Sequence, residues 1–484
     1  MSRRIVLFEL NEVPWRIVDE FVAAEPQSTL ARILSTSRCF TSLTADHGHL
    51  SPWTTWPTLH RGVNDEQHMI ANFGQNRGVA DEQFPPVWEL LHRAGVPVGI
   101  CGTLHTYPVP ADIETYAFYL PDTFACEPTA FPAELETFQS FNLTMARASS
   151  RNVDTSIPRS AALTLLRSAH RLGIRPGTFA ALARQLVAER RRPWLTTRRR
   201  SFQSLLAFDV FENQLRRHRP AFSSFFSNHV ASAMHRYWAA GHPADYDELN
   251  LGEEWLGKYR DEVPWAMSRA ADMIARLADF VEADPGSELW IASSMGQGPT
   301  FAQPLETQLY LEDLSAFMAA LGSVSEGAVS DPVPADRWCE RPAMLPQRNV
   351  RVDPEFADGF EAALRSITVA GAPLVFRRAD DGFFSMDWGH SNLHAAPDAV
   401  RIDGEVREIE SLGLRVVEIE DRSDTTAYHV PQGVLAIYDP RHPVAPAPVR
   451  EDLSVLQIAP TILATLGVPA PDYMQAPINE MINA

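Results

Sequence analysis

Residues 5–10, IVLFEL, are apolar at five of six positions, and the run stops abruptly at Asn11-Glu12. A strand with one wet face alternates polar and apolar side chains. A run that is apolar on both faces is buried on both, which requires a parallel sheet covered by helices. Phe222–Ser227 resumes the strand pattern, Glu288–Ala292 reads as another buried strand, and Gly433–Tyr438 as a further core strand. Val87 to Arg93 has helical spacing, Gly95 is a stop, and Val96 to Cys101 is again strand-like. This β-α-β order predicts an α/β fold with a mostly parallel central sheet and helices on both faces.

The 484 residues exceed one average domain, and one large α/β domain carrying insertions fits them. Residues 1–120, 221–298 and 429–484 read as the α/β core, 121–220 as a helical, Arg-rich insertion, and 299–428 as a mixed insertion or cap. Within the core, helices are expected at Trp15–Ala24 and from Thr55 to Arg61. A long amphipathic helix is expected over Glu254–Glu282, and a closing helix over Leu453–Leu466 with Gly467 as its stop.

Hydrophobic content of 45% and charged content of 21% are those of a soluble globular protein. No run of about 18 apolar residues predicts a membrane span. Glu9 and Glu12 interrupt any signal-peptide core, so a cytoplasmic location is expected. Cys39, Cys101, Cys126 and Cys339 lack CxxC spacing and read as buried thiols rather than a disulfide framework. A net charge of −19 argues against nucleic acid as a partner. The charge is uneven, however: Arg147 to Arg219 holds sixteen arginines against four acids, including Arg190-Arg191-Arg192 and Arg198-Arg199-Arg200. An anionic substrate or partner could use that patch; a solvated helical face paired with the acidic remainder is the simpler reading.

The stretch SPWTTWPTLHRG, Ser51 to Gly62, is the candidate centre. Pro57 fits a first helical turn, where its missing N–H costs nothing. Thr55 would then present a hydroxyl beside free backbone N–H groups at the positive end of a helix, a natural place for an anion. Thr55 is therefore read as a nucleophile. Trp53 and Trp56 flank it and could wall a ring by stacking, or simply pack.

The order of motifs resembles the alkaline phosphatase superfamily, specifically its type I phosphodiesterase/nucleotide pyrophosphatase branch. Members open with a strand ending in Asp-Gly, where this chain has Asn11-Glu12. A Thr or Ser nucleophile precedes a Pro and a Gly, then His-Gly-Ile and an Asn; here these are Thr55, Pro57, Gly62, His68-Met69-Ile70 and Asn72. An Asp-x-x-x-His motif with an aromatic-Trp pair is matched by Ala231, His235 and Tyr237-Trp238. The late Ser-Asp-His-Gly is here Ser293-Ser294-Met295-Gly296. A His before a Gly-initiated strand is matched by His429, and the closing Asp-Ile-Ala-Pro-Thr-Ile-Leu helix by LQIAPTILATLGVPAP.

The resemblance implies two metal ions that activate the Thr hydroxyl and neutralise the transferring group. This chain departs from that pattern. Asn11, Ser294 and Met295 are weak ligands for a hard or borderline cation, which empties one site. The other keeps His235 and His429 but lacks the carboxylate at Ala231, and two imidazoles rarely hold zinc without further ligands. Replacement carboxylates could come from Glu9, on the same strand face as Asn11, or from Glu12 at the strand end. What remains is one divalent cation, zinc or manganese, or a metal-free site in which His235 or His429 is the base. Asn72 takes the position of the family's phosphate-oxygen donor. Asn11, Trp56, Ser294, Met295 and His390 are expected to line the substrate pocket, with His229 and His394 able to approach it. His68 reads as structural.

The function implied is hydrolysis or transfer of a phosphoryl or sulfuryl ester, on a small anionic or ester substrate. Thr55 would be the nucleophile, helped by His235, His429 and Asn72. Loss of ligands favours a less charged substrate or an arginine borrowed from the basic insertion. The alternatives are a catalytically silent ligand-binding or scaffold protein, and a biosynthetic enzyme that reuses the pocket for other group-transfer chemistry.

Overall fold

The structure is a computed structural model that describes residues 3–147, 159–323, 333–379, 381–393, 400–445, 447 and 449–478. Its centre is an eight-stranded sheet. From one edge to the other the strands are Glu451–Ser454, Arg38–Leu43, Gln432–Tyr438, Ser287–Ala292, Arg4–Leu10, Phe222–Ser227, Val98–Cys101 and Phe118–Leu120. All pairings are parallel except the two made by Gln432–Tyr438. The mostly parallel α/β architecture expected from the apolar runs is thus present.

Arg4–Leu10 lies mid-sheet, with Phe8 in register with Phe225 on one side and Ile291 on the other. Its alternation splits the core in two. Val6, Phe8 and Leu10 face a cluster with Phe208 and Phe211 of the Arg199–His218 helix and Ile274 of the Glu262–Ala283 helix. Ile5 and Leu7 face Trp56 and Leu59 of the Pro52–Arg61 helix and Ile458 of the closing helix. Helices therefore cover both faces, and the end of the Arg-rich region, Arg199–His218, packs directly under the sheet. Residues between Leu309 and Leu414 form a further cluster around Val350, Phe384 and Trp388, with two four-stranded sheets. The chain enters and leaves this cap on adjacent antiparallel strands, Gly296–Pro299 and Ala427–Val430, which pair His429 with Gln297. None of the four cysteines forms a disulfide.

Three helix expectations change. The long helix breaks into Glu253–Tyr259 and Glu262–Ala283; Pro264, third in the second helix, is tolerated only in a first turn. The closing segment begins as a strand, Glu451–Ser454, and its helix is Ile458–Thr465, with Pro460 again in the first turn. The helix that carries Thr55 starts at Pro52, so Pro57 is interior rather than in the first turn. The N–H groups of Thr54 and Thr55 are not free, since both donate to the Ser51 carbonyl, at 3.0 and 2.9 Å.

An interior proline leaves the carbonyl four residues earlier without its helical donor. That carbonyl belongs to Trp53, and His105 supplies the replacement: its Nε2–H donates to Trp53 O at 2.8 Å. Burial holds the His105 imidazole well below its ordinary pKa, so the ring is neutral. His105→Phe should cost about 1–3 kcal/mol, the usual penalty for orphaning a buried polar group. Pro57→Ala restores the helical donor, so the penalty should shrink in the double variant. Urea unfolding of the four proteins measures this; equal His105→Phe penalties in both backgrounds would contradict the assignment.

Candidate active site

The site lies at the carboxyl ends of the central strands, where open α/β sheets bind ligands. Strand Arg4–Leu10 ends in Asn11 and then Glu12, whose φ is 59°. A non-glycine residue in the left-handed region costs roughly 1–2 kcal/mol, and the position corresponds to glycine in the resembling family. Glu12 is 2% exposed and is held by a ring of donors. Asn11 Nδ2 donates to Oε1 at 2.8 Å. Gln297 donates through Nε2 to Oε2 and also to the Ala231 carbonyl.

Two imidazoles converge on the same oxygen. His235 Nε2 lies 2.8 Å from Glu12 Oε2, and His429 Nε2 lies 3.3 Å from it. The opposite ring nitrogens are committed elsewhere: His235 Nδ1 donates to Ala427 O at 2.8 Å, and His429 Nδ1 donates to Leu50 O at 2.6 Å. A carbonyl only accepts, so both Nδ1 atoms carry protons. Each neutral ring then turns a lone pair on Nε2 toward an anionic oxygen. That arrangement is stable only with a second proton on the rings or a cation among the three groups. Burial pushes the Glu12 carboxyl up, but His429 and His235 outweigh it and hold it well below the usual carboxylate range. Burial would lower His429, but the Glu12 carboxylate outweighs it and raises it.

The ligand atoms of Glu12, His235 and His429 all lie within 4.8 Å of one another. One carboxylate and two imidazoles suit zinc or manganese and leave a coordination position for water or substrate. The carbonyls of Ala427 and Leu50 orient the two rings as outer partners of a metal site do. The donor set therefore fits a single divalent cation. Ala231 offers no carboxylate to this group; the one beside the two imidazoles is that of Glu12, from a different strand end. Glu9 is not part of this group; its carboxylate is taken by His60 Nε2 at 2.6 Å and Thr103 Oγ1 at 2.8 Å, deep in the sheet.

The other half of the expected two-metal centre is neutral. Thr55 Oγ1 and Ser294 Oγ are 2.7 Å apart, and neither residue has exposed surface. Asn11 Oδ1 accepts from Trp56 Nε1 at 2.7 Å, and Asn11 Nδ2 reaches Asn228 Oδ1 at 2.7 Å. Trp56 is fully enclosed, stacked on His60 and edge-on to Phe226. It offers a ligand no face, so its part is to hold Asn11. Met295 is also fully buried. The His235 side chain is 25% exposed and that of His429 7%, so the cluster meets solvent on the His235 side.

Two expected residues take no part in this hydrogen-bond network among the described residues. Asn72 is half-buried, with its N–H bound to Gln75 Oε1, and no hydrogen bond among the described residues joins it to Thr55, Ser294 or Glu12. His390 sits in the cap, bonded through its backbone to Leu309 and Trp388, and likewise does not enter the network. His394 lies outside the described residues. His49 reaches the Tyr428 hydroxyl at 3.2 Å, closing the loop before Thr55 over the His429 strand. Gln297 and Asn228 were not foreseen. Gln297 could have been read from its place one residue past Gly296.

No protein-family model matches this chain, and no curated protein does. Solved structures are similar to it along its length. Phosphonoacetate hydrolase from Sinorhizobium meliloti 1021, in complex with phosphonoformate, is 12% identical, with 97% of this chain and 96% of that one covered and a TM-score of 0.39. Murine ectonucleotide pyrophosphatase/phosphodiesterase 5, as an inactive variant in complex with AMP, is 9% identical over 98% of each chain, with a TM-score of 0.41. A mutant of alkaline phosphatase PafA is 12% identical over 99% of this chain and 98% of that one, with a TM-score of 0.46. Each is a likeness of shape.

Two other histidines near the site are buried and neutral. His68 Nε2 meets Thr58 Oγ1 at 2.9 Å, and His229 bonds Ser227 and the Ala266 carbonyl. Burial lowers each to about 4 from an ordinary 6.5. Above pH 6.5 neither state of the chain holds these protons. Below it the unfolded chain gains them first, so stability falls as pH drops from 6.5 to 4. At about 1.4 kcal/mol per pKa unit, the loss is on the order of 3 kcal/mol per histidine. Chemical unfolding at pH 7 and pH 4.5 should show a smaller acid loss in His68→Gln than in the parent; an unchanged loss would refute it.

Proposed function

We propose that the chain is a hydrolase or transferase of phosphoryl or sulfuryl esters that uses one divalent cation and Thr55 as its nucleophile. The observation that supports this most directly is the convergence of both Nε2 atoms on one oxygen of Glu12, with both Nδ1 atoms donating to carbonyls. Glu12, His235 and His429 would hold the cation. When bound it supplies Lewis-acid chemistry, polarising an ester oxygen or acidifying a bound water. Asn11 and Gln297 fix the carboxylate, and the Ala427 and Leu50 carbonyls fix the rings. Thr55 supplies the attacking hydroxyl, with Ser294 as its hydrogen-bond partner.

The charge count selects the substrate. One dication against one carboxylate leaves a single positive charge, and Asn11, Thr55 and Ser294 add none. A transferring group with one negative charge, a diester or sulfate ester, is then balanced, whereas a monoester dianion is not. Two like charges about 4 Å apart repel by roughly 4 kcal/mol at an effective dielectric of 20.

Burial of Thr55 favours one other reading, a ligand-binding protein without turnover, because a substrate reaches that hydroxyl only if the side chains over it move. Assays on bis(p-nitrophenyl) phosphate, p-nitrophenyl sulfate and p-nitrophenyl phosphate separate the two. The first or second should be turned over faster than the third. Thr55→Ala should lower the rate by about a hundredfold or more, ~2.7 kcal/mol of barrier, and Glu12→Gln should abolish it. No turnover on any ester would leave the binding reading, and undiminished turnover in Thr55→Ala would remove Thr55 as nucleophile.

A further inference from the structure

The Arg-rich region sends one helix under the sheet, Arg199–His218, and lays two more on top of it, Arg159–Leu172 and Pro176–Arg191. Leu165 and Leu172 of the first reach the core cluster that holds Leu206 and Leu215. Thr178 of the second donates through Oγ1 to Asp209 Oδ2 at 2.5 Å.

The outer faces of these two helices depart from the usual pattern, in which a surface helix buries its apolar stripe and shows its polar one to water. Pro176–Arg191 buries Gln185 and Glu189 and leaves Leu186 and Val187 exposed, at 44% and 52%. The buried polar groups are satisfied: Gln185 donates to the Leu195 carbonyl at 2.7 Å, and Glu189 pairs with Arg199 at 2.6 Å. Arg159–Leu172 exposes Leu163 and Leu166, at 52% and 54%. A lone exposed leucine is ordinary. Two such pairs on consecutive helices offer an apolar contact that water does not reward.

Arginines are interleaved with them. Arg167 and Arg171 follow Leu163 at successive four-residue steps, and Arg184, Arg190 and Arg191 lie three or four residues from Leu186 or Val187, with Arg192 next. Side chains at those spacings share a helix face. All six arginines are exposed, and none forms an ion pair among the described residues, whereas Arg175, Arg198 and Arg199 are taken by Glu212, Glu262 and Glu189. Between Arg159 and Arg192 the sequence has a single acid, Glu189, and it is the buried one. The outer faces are therefore purely cationic on a chain whose net charge is −19.

This mixture narrows the partner. A nucleic acid would offer phosphates to the guanidinium groups, but single-stranded bases also need rings to stack on. Phe179 is the only aromatic residue of the two helices, and it packs against the core. An anionic bilayer uses both halves of the pattern. The guanidinium fork matches lipid phosphates while its stem lies along apolar surface, and aliphatic side chains enter the acyl boundary. The acidic remainder of the chain is repelled by the same bilayer, so charge complementarity selects this face.

We propose that Arg159–Leu172 and Pro176–Arg191 dock the protein peripherally on an anionic membrane surface, with arginines on lipid phosphates and Leu163, Leu166, Leu186 and Val187 at the acyl boundary. The proposal does not depend on the ester-hydrolase reading.

Flotation of the full chain with lipid vesicles tests it. Vesicles of equal parts phosphatidylglycerol and phosphatidylcholine should bind it at least tenfold more tightly than pure phosphatidylcholine. Raising the salt to about 0.5 M should remove most of that difference, because exposed charges are screened within a few ångströms. Arg190→Gln/Arg191→Gln/Arg192→Gln should weaken binding tenfold or more, and Leu186→Ser/Val187→Ser at least threefold. Thermal unfolding midpoints check that the variants fold; if the second does not, Leu163→Ser/Leu166→Ser decides by the same criterion. No binding, equal binding to both vesicles, or an unchanged affinity in the folded Leu variant would overturn the proposal. Tighter binding to a DNA duplex than to the anionic vesicles would overturn it too, and would assign the arginines to a nucleic acid.

Discussion

The carboxylate of Glu12 gathers the site. It leaves the central strand in a left-handed conformation that only a strong compensation sustains, and it receives Asn11, Gln297, His235 and His429. These partners come from four places in the chain: the strand's own end, the first strand into the cap, the helix after Phe222–Ser227, and the strand returning from the cap. The parallel sheet brings those ends to one edge. The Gly296–Pro299 and Ala427–Val430 pairing then sets His429 opposite Gln297. Without an anion at Glu12, two oriented imidazoles would face each other with nothing between them.

Much of the fold was legible because it depends on burial. A strand covered on both faces is mostly apolar on both, and the runs at Ile5–Leu10 and Gly433–Tyr438 say so directly. Prolines explain the shifted helix boundaries. Pro264 and Pro460 begin helices that apolar periodicity alone extends too far, and Pro57 sits inside one because His105, distant in sequence, satisfies the carbonyl it leaves open. No local pattern reveals such a contact.

The site was legible in part for the same reason. His235 and His429 could be placed by the order of motifs, and the structure brings them together. The choice between Glu9 and Glu12 could not be made from strand alternation, because Glu12 lies past the strand in a left-handed turn where alternation no longer applies. The signal was there in another form: a glutamate stands where the resembling family has glycine, a costly exchange unless the side chain is used. Asn72 was placed by motif position and His390 as a cap-loop residue expected to line the pocket, and their hydrogen bonds lie elsewhere. In the arginine-rich region, Arg198 and Arg199 are absorbed in pairs with Glu262 and Glu189.

Under the proposed function, Thr55, Ser294 and Asn11 would form a neutral, substrate-facing half of the site, and Glu12 would supply the carboxylate of its one cation position. The most direct test is the metal content of the purified protein after equilibration with zinc or manganese, compared with Glu12→Gln and Glu9→Gln. One equivalent per chain in the parent and in Glu9→Gln, lost in Glu12→Gln, is the result predicted. No bound metal in the parent, or a full equivalent retained in Glu12→Gln, would contradict the account.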